Sequence, residues 1–319
     1  MSWLVTGGAG YIGAHVVRSL VADGQSVVAF DDLSTGRADR VGEVPLVRAS
    51  VLDRAALDAA FTEHAVTGVV HIAAKKQVGE SVAEPLHYYR ENVVGLMTLL
   101  EACRDHDVRQ LVFSSSSATY GLPDLDLVTE DTLGVPLSPY GETKLVGEWL
   151  MRNCAVAYGL RYMALRYFNV AGAASPELGD PGVFNLIPLV FQALDAGEQP
   201  RVFGADYPTP DGTCIRDYVH VEDVADAHLA AVRALDSGAN SAAYNIGRGA
   251  GSSVLEVLEV IARVTGQDTT PLLVERRPGD PARVVAAVDR IRDGLGFTAR
   301  HDLEQMVRSA WAGWPLRST

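Results

Sequence analysis

The chain has 319 residues, a length that favours two unequal lobes, and its 48% hydrophobic and 21% charged residues are typical of a soluble globular protein. Its 27 basic and 40 acidic side chains give a formal charge of −13, so the overall field repels a phosphate backbone and argues against nucleic acid as a partner. No stretch approaches the ~18 uninterrupted apolar residues of a membrane span, which argues against a membrane protein.

The first half of the chain alternates short β-branched runs with longer amphipathic stretches, the pattern of a parallel sheet covered by helices. We therefore predict an α/β fold with a Rossmann-type doubly wound parallel sheet in a first domain of residues 1–168. The predicted strands are Trp3–Thr6, Ser26–Asp31, Pro45–Ala49, Gly68–Ala73, Gln110–Ser115 and Arg161–Phe168. The predicted helices are Tyr11–Ala22, Asp53–His64, Pro85–His106 and Tyr140–Tyr158.

Beyond Asn169 the connections become rich in Gly and Pro, which predicts a smaller C-terminal lobe over residues 169–319. Two segments near 219–247 are candidates to return to the first domain. They are the apolar-periodic stretch Val221–Leu235 and the strand-like Ala242–Ile246. The domain boundary is therefore not expected to be a single cut.

The N-terminal sequence and the cysteines indicate in which cellular compartment the protein is expected. Met1 is followed at once by a strand and glycines, without the basic flank and cleavage site of a secretory signal. Cys103, Cys154 and Cys214 are far apart and suit neither a disulfide framework nor a zinc site. We expect a cytoplasmic protein with reduced cysteines, in which Cys154 packs from a helix, and no metal.

A glycine-rich turn, GGAGYIG from Gly7 to Gly13, follows the first predicted strand and opens the first predicted helix. Such a turn lets the backbone approach a pyrophosphate and directs helix N-terminal N–H groups at it. The second strand ends in Asp31, 18 residues after Gly13, where a carboxylate can accept hydrogen bonds from the adenosine ribose. Asp32 beside it favours NAD over NADP, because a 2′-phosphate would meet two negative charges. Residues 1–168 are therefore predicted to bind NAD.

Tyr140 and Lys144 lie four residues apart at the start of a predicted helix, on one helical face. A free phenol has a pKa of about 10, and a nearby ammonium and the positive nicotinamide both favour its ionised form. Tyr140 is therefore a candidate general base near neutral pH. A serine run, Ser114 to Ser117, ends the preceding predicted strand.

Ten sequence blocks across nearly the whole chain resemble the extended short-chain dehydrogenase/reductase family and, within it, the UDP-galactose (UDP-glucose) 4-epimerases. Their order and spacing are more specific than any single block. The blocks are GGAGYIGAH from Gly7, DDLSTG from Asp31, KKQVGESV from Lys75, YYRENV from Tyr88, FSSSSATYG from Phe113, SPYGETK from Ser138, LRYFNVAGA from Leu165, FGADYPTPDGTCIRDYVHVEDVA from Phe203, YNIG from Tyr244 and RRPGD from Arg276.

The resemblance implies NAD-dependent epimerisation at C4 of a UDP-hexose through a transient 4-keto intermediate. It implies that Tyr140 is the base and that Ser116 hydrogen-bonds the sugar O4. It also implies that Lys144 binds the nicotinamide ribose and lowers the pKa of Tyr140. The implied cofactor contacts are Gly7, Gly10, Tyr11, Ile12, Gly13, Asp31, Asp32, Lys76, Asn92, Tyr140, Lys144 and Tyr167. The implied substrate contacts are Ser116, Asn169, Asn185, Arg216, Arg277, Asp280 and Val284.

The implied roles make the C-terminal lobe the UDP-sugar-binding one. Asn169 and Asn185 resemble amide contacts to UDP, Arg216 and Arg277 its pyrophosphate clamps, and Asp280 a contact to the uridine ribose. The net charge of −13 disfavours binding of an anionic substrate, so a diphosphate site needs local positive charge. Two Arg side chains can supply that charge, because each guanidinium binds phosphate oxygens in a bidentate way.

Two positions depart from the family pattern. Ser50 stands where the family usually has an acid that binds the adenine amino group. Val284 stands where some members carry a bulky aromatic residue, and the smaller side chain leaves room for an N-acetylated sugar. The plain or N-acetylated preference is thus open.

The resemblance also implies a homodimer formed through the helices Pro85–His106 and Tyr140–Tyr158. Apolar side chains on these helices could supply its surface or pack within the chain. They are Leu96, Leu99, Leu100, Leu145, Trp149 and Leu150.

Three alternatives stand beside this prediction. A nucleotide-sugar 4,6-dehydratase needs an acid where this chain has Ser117-Ala118, so dehydration is disfavoured. A uronate epimerase or decarboxylase needs a further basic residue, which the sequence neither shows nor excludes. A non-catalytic NAD-binding sensor could lose Tyr140 and Lys144, both of which are present.

Two histidines end predicted strands in the regions just described. His71 and His220 are read as structural residues rather than as bases or metal ligands.

Overall fold

A computed structural model describes residues 1–277 and 279–314. Pro278, which belongs to the RRPGD block, and residues 315–319, the end of the predicted C-terminal lobe, lie outside the described residues. The chain folds into two compact units. Unit 1 comprises Met1–Gly121, Leu133–Arg166 and Ala225–Tyr244, and unit 2 comprises the remaining described residues. Residues Leu122–Thr132, placed in the first domain by the sequence interpretation, belong to unit 2.

The described residues form thirteen strands and eleven α-helices. The strands are β1 (Ser2–Thr6), β2 (Ser26–Asp31), β3 (Leu46–Arg48), β4 (Gly68–His71), β5 (Gln110–Ser116), β6 (Arg161–Tyr167), β7 (Asn169–Ala171), β8 (Arg201–Phe203), β9 (Ile215–His220), β10 (Ala242–Ile246), β11 (Gly251–Ser253), β12 (Leu272–Val274) and β13 (Arg283–Val284). The helices are α1 (Tyr11–Ala22), α2 (Arg54–Glu63), α3 (Val78–Ala83), α4 (Pro85–Tyr88), α5 (Gly95–Asp105), α6 (Pro139–Tyr158), α7 (Leu186–Asp195), α8 (Val221–Asp236), α9 (Val254–Thr265), α10 (Asp289–Leu295) and α11 (Leu303–Gly313).

A seven-stranded sheet has the order β3-β2-β1-β4-β5-β6-β10. The pairings from β3 through β5 are all parallel. The order 3-2-1-4-5-6 is that of a Rossmann fold, whose ligand site lies at the carboxyl ends of the strands where the order reverses, here between β1 and β4. The predicted fold class is confirmed, and β10 adds a strand beside β6.

The core of unit 1 follows from strands that are buried on both faces. β1 is buried except at its first residue and β4 is buried throughout, as expected for parallel strands covered by helices on each side. Helices α2, α5 and α6 contribute apolar side chains to one cluster with these strands. Cys154 packs against this cluster, as predicted.

The core of unit 2 is built from helices on a small mixed sheet. β9 is its central strand, antiparallel to β11 and parallel to β13 and β7. Helices α7, α9 and α11 bury their apolar faces in one cluster. Two of them begin with capping boxes, Ser253 with Glu256 and Asp302 with Gln305, which satisfy the first N–H groups of each helix.

Candidate active site

The glycine turn between β1 and α1 is tightly packed. Gly7 has a φ of 70°, and a Cβ placed on it would lie 2.7 Å from the backbone nitrogen of Ala73. A Cβ on Gly13 would lie 1.9 Å from the carbonyl oxygen of Gly7. Gly10 is the N-cap of α1 and offers no side-chain cap, and the first turn of α1 contains no acidic residue. The N-terminus of α1 therefore fits an anionic pyrophosphate, and this part of the chain fits a dinucleotide.

Asp31 lies at the carboxyl end of β2 and is buried. Its carboxylate accepts hydrogen bonds from the backbone N–H of Ala9 at 3.0 Å and of Leu33 at 2.8 Å. Burial raises the pKa of Asp31, and these two N–H donors oppose the shift. The residue thus holds the glycine turn against β2 as well as being the predicted ribose contact. Asp32 is exposed, and its carboxylate accepts from the N–H of Ser34 at 2.8 Å.

Lys76 lies close to the first residue of α1, and Asn92 binds the backbone of the residue before it. The Asn92 amide pairs with the backbone of Lys75 in both directions, at 2.8 and 3.0 Å, and donates to the Thr143 hydroxyl at 3.0 Å. The Lys76 ammonium lies 5.9 Å from the centre of the Tyr11 ring. Asn92 therefore ties the segment that carries Lys76 to α6, and its amide groups are already engaged in the protein.

Tyr140 lies in the first turn of α6. Ser138 is the N-cap of this helix, and its hydroxyl accepts a hydrogen bond from the N–H of Gly141. The Tyr140 hydroxyl is hydrogen-bonded to the Ser116 side chain at the end of β5. Burial raises the pKa of Tyr140, whereas the Ser116 hydrogen bond lowers it. The net direction is opposite to the expected lowering, because desolvation of the phenolate outweighs the help that neighbouring protein groups supply.

Lys144 lies one helical turn after Tyr140 and is buried. Its Nζ donates to the carbonyl oxygen of Ser114 at 2.8 Å and lies 5.9 Å from the centre of the Tyr140 ring. Burial lowers the pKa of Lys144 to about 7, so the amine is only partly charged at neutral pH. Lys144 is not among the groups that shift the pKa of Tyr140, where the Ser116 hydrogen bond alone opposes burial. The positive charge of the nicotinamide was the second group expected to lower the pKa of Tyr140.

His71, at the end of β4, is buried and packs within unit 1. Its Nδ1 is hydrogen-bonded to the Thr6 hydroxyl at 2.7 Å, and its ring stacks on Phe113 with centroids 5.9 Å apart. Burial lowers the pKa of His71 to about 3, which keeps the ring neutral.

Three of the predicted substrate contacts in unit 2 lie on or next to β9 and β13, and a fourth, Arg277, lies against β8. Arg216 and Asp280 form an ion pair, and Arg216 also donates to the carbonyl oxygen of Ile215 at 2.7 Å. Val284 lies opposite Arg216 in the β9–β13 pairing, so their side chains leave the same face of the sheet. Arg277 stacks on the Phe203 ring, with its guanidinium carbon 3.8 Å from the ring centre.

Asn169 and Asn185 occupy different places in unit 2. Asn169 begins β7, lies opposite Tyr218 of β9 and hydrogen-bonds its hydroxyl. Asn185 is the N-cap of α7, and its side chain makes no capping hydrogen bond. Its amide is therefore not engaged by the helix that it begins.

His220 is buried at the end of β9, and both of its ring nitrogens are engaged. They contact the Ser309 hydroxyl at 3.0 Å and the N–H of Glu222 at 3.1 Å. Its ring stacks on His301 with centroids 4.3 Å apart. His220, Glu222 and His301 also bring possible metal-ligand atoms within 4.8 Å of one another, so the structural interpretation of His220 stays a prediction.

Two residues near Tyr140 were not singled out from the sequence. Glu148 accepts a hydrogen bond from Ser115 and is paired with Arg166, and all three side chains are largely buried. The signal that could have found Glu148 is its place four residues after Lys144 on the same helical face. Its partners come from two different strands, which helical spacing cannot reveal.

The glycine turn, the acid at the end of β2 and the Tyr140–Lys144 pair of α6 define a dinucleotide-dependent enzyme site of the short-chain dehydrogenase/reductase type. Residues 3–247 match the model of the NAD dependent epimerase/dehydratase family. The chain therefore belongs to that family.

Relatives and solved structures agree with this assignment. The UDP-glucose 4-epimerase of Halalkalibacterium halodurans is 44% identical over 98% of this chain and 95% of its own length. That of Azospirillum brasilense is 45% identical over 96% of this chain and 90% of its own length. The crystal structure of UDP-glucose 4-epimerase from Brucella ovis in complex with NAD superposes with a TM-score of 0.94 at 42% identity, covering 98% of each chain.

Proposed function

We propose that this protein is an isomerase that interconverts UDP-galactose and UDP-glucose by inverting C4 of the hexose, with NAD as its cofactor. The observation that carries the proposal is the Tyr140 hydroxyl hydrogen-bonded to Ser116, one turn from buried Lys144, in a chain of the epimerase/dehydratase family. When bound, NAD supplies the chemistry by accepting hydride from C4 and returning it to the other face of a transient 4-keto sugar.

The protein's own contribution is to hold and move one proton at the sugar O4. Tyr140 removes that proton, and Ser116, already bonded to the Tyr140 hydroxyl, positions O4 and relays the proton. Lys144, fixed on the Ser114 carbonyl, holds the nicotinamide ribose. The pKa of Tyr140, which burial raises, would be lowered by the positive charge of a nicotinamide bound beside it.

We assign the remaining cofactor contacts to residues of the glycine turn and its neighbours. The pyrophosphate would lie at the N-terminus of α1, and Asp31 would accept from the adenosine ribose hydroxyls. The other assigned residues are Gly7, Gly10, Tyr11, Ile12, Gly13, Asp32, Lys76, Asn92 and Tyr167.

The uridine diphosphate would be held by unit 2. Arg216 and Arg277 bind the diphosphate as bidentate donors, and Asp280 accepts from the uridine ribose. Asn169 and Asn185 supply amide contacts. In the structure Arg216 is already paired with Asp280, so nucleotide binding would exchange part of that ion pair for phosphate oxygens.

A 4,6-dehydratase remains disfavoured for a structural reason. Ser117 and Ala118 lie in the 3₁₀ turn directly after β5, where the dehydratase needs its acid. Neither side chain can protonate the departing 6-hydroxyl. A 4-keto intermediate formed here would therefore return to an alcohol.

We further propose a cytoplasmic homodimer formed through α5 and α6. Leu96, Leu99 and Leu100, offered as dimer surface from the sequence, are buried in the core of unit 1 and cannot supply it. The exposed apolar side chains on or next to these helices are Val94, Met97, Trp149 and Val156. Among the described residues, no helix is both long and apolar enough to cross a membrane.

The test is conversion of UDP-galactose by the purified protein supplied with NAD and no reductant, followed by proton NMR of the sugar. The proposal predicts UDP-glucose, and the same final mixture when the reaction starts from UDP-glucose. Formation of a 4-keto-6-deoxy sugar would instead show a dehydratase. No change in either sugar would contradict the proposed activity.

A further inference from the structure

Tyr140, Lys144 and Glu148 follow one another at four-residue spacing on α6 and share one helical face. Each contacts one of three consecutive serines at the end of β5. The contacts are the Tyr140 hydroxyl with Ser116, the Lys144 Nζ with the Ser114 carbonyl at 2.8 Å, and the Glu148 Oε1 with the Ser115 hydroxyl at 2.5 Å. The first two contacts belong to the proposed chemistry, whereas the third has no assigned role.

Glu148 is itself fixed by a buried ion pair. Arg166 of β6 donates from Nε to Oε1 at 2.8 Å and from Nη2 to Oε2 at 2.5 Å, and from Nη1 to the Tyr120 hydroxyl at 2.7 Å. The Glu148 and Arg166 side chains are only 10% and 11% exposed. A bidentate pair of this kind fixes the rotation of the carboxylate as well as its place. Glu148 therefore presents its oxygen to Ser115 in one orientation.

We propose that Glu148 is a positioning residue for the C4 epimerisation, and that it acts by holding Ser115. Ser115 is the chain neighbour of both Ser114 and Ser116. Its position therefore fixes the position of the Ser114 carbonyl oxygen, which accepts from Lys144, and of the Ser116 hydroxyl, which contacts Tyr140. Catalytic groups lose about 10²-fold in rate when displaced by about 1 Å. This inference rests on the proposed function, because its effect is on turnover of the UDP-sugar.

Ser115→Ala is the sharpest variant, because it deletes the hydroxyl and leaves the Glu148–Arg166 pair intact. We expect kcat for UDP-galactose to fall about 5- to 50-fold, with KM and NAD content close to wild type, since only positioning at the reacting centre is lost. The deuterium isotope effect on kcat with C4-deuterated substrate should rise, because the chemical step becomes more limiting. Ser81→Ala is the matched control. Ser81 is also buried in unit 1 and donates to the Val78 carbonyl at 2.7 Å.

Glu148→Gln and Glu148→Ala separate positioning from stability. The glutamine keeps an oxygen that can accept from Ser115 but loses the charge pair, so it should lower Tm while retaining a higher kcat than Glu148→Ala. A kcat for Ser115→Ala within twofold of wild type, or an equal loss in Ser81→Ala, would overturn the inference. Wild-type turnover is measured in the same assay. Its absence would overturn the proposed function and this inference with it, whereas an active wild type with an unaffected Ser115→Ala overturns the inference alone.

Discussion

At the scale of single residues, the proposed reaction depends on the oxygen of one phenol. Tyr140→Phe keeps the ring that packs beside Lys144 and deletes the hydroxyl bonded to Ser116. We expect kcat to fall by roughly 10² to 10⁴, the usual contribution of general acid–base catalysis, while NAD and UDP-sugar still bind. Steady-state kinetics with calorimetric binding of UDP measure both quantities. Near-normal turnover by the purified variant would remove Tyr140 from its role.

Lys144 gives a second residue-scale prediction, on stability and pH. Burial lowers its pKa from 10.5 to about 7, so between those values the unfolded chain binds a proton that the folded protein does not. Unfolding therefore takes up a proton in this window, and the folded state gains stability as the pH rises through it. Lys144→Met removes the group, so its stability relative to wild type should decline by about 1 to 2 kcal/mol between pH 7 and pH 9.

Urea unfolding of the NAD-free protein at pH 7, 8 and 9 measures this difference. Tyr140→Phe is the matched control, because it alters the same site and leaves Lys144 in place. It should follow the pH dependence of the wild type. A difference between Lys144→Met and wild type that stays constant with pH would show that the buried amine does not titrate in this window.

Several candidate site residues could be identified from the sequence, but the contacts that surround them could not be predicted from it. The Tyr140–Lys144 pair is visible as a helical spacing, because both partners lie on one element. The Ser114 carbonyl that binds Lys144 is 30 residues away and belongs to the backbone of a strand, so no side-chain pattern marks it. Asp31 could be singled out from the sequence as a candidate ribose contact, but the two hydrogen bonds that it accepts from Ala9 and Leu33 depend on how the glycine turn packs on β2.

At the scale of elements, β13 and β9 place Val284 beside Arg216 on one face of a sheet in unit 2. If Arg216 binds the diphosphate, Val284 is near the sugar, and its small side chain leaves space for an N-acetyl group. The protein should then epimerise UDP-N-acetylglucosamine alongside UDP-glucose. Val284→Tyr should depress the N-acetylated activity far more than the activity on UDP-galactose, because a steric clash discriminates more strongly than a missing contact.

Comparing kcat/KM for the two substrate pairs in wild type and Val284→Tyr checks this prediction. Val288→Tyr, four residues further along, is a control for a bulky residue outside β13. Absence of N-acetylated turnover in the wild type would contradict the pocket assignment. An equal loss on both pairs in Val284→Tyr would show that Val284 supports packing instead.

Element boundaries in unit 1 were predicted to within about two residues, because strand and helix periods alternate clearly there. The helix expected over Pro85–His106 is an exception. It consists of α4, a π-helical segment from Tyr89 to Val94, and α5. Apolar periodicity cannot distinguish a π turn from an α turn over six residues. Helix α3 was missed, because its six residues are too short to show a period.

At the scale of the whole molecule, the proposed homodimer gives a prediction on oligomeric state. Trp149 on α6 is 47% exposed and Met97 on α5 is 43% exposed, both large apolar side chains in a chain of charge −13. Replacing both by Glu should shift the protein from dimer to monomer, because two desolvated carboxylates oppose association. Light scattering at micromolar concentration measures the mass. Leu189→Glu on α7, which is 38% exposed in unit 2, is the control and should leave the mass unchanged.

A wild type that is monomeric at this concentration would contradict the homodimer. A double variant that stays dimeric would show that another surface forms the interface.

In the proposed reaction, C4 is inverted by a hydride that leaves the sugar and returns to the same carbon. The most direct test is conversion of UDP-galactose carrying deuterium at C4, in ordinary water, with NAD and without reductant. We expect UDP-glucose that retains deuterium at C4, and no conversion by Tyr140→Phe on the same timescale. Loss of the label to solvent, or no UDP-glucose from the wild type, would contradict it.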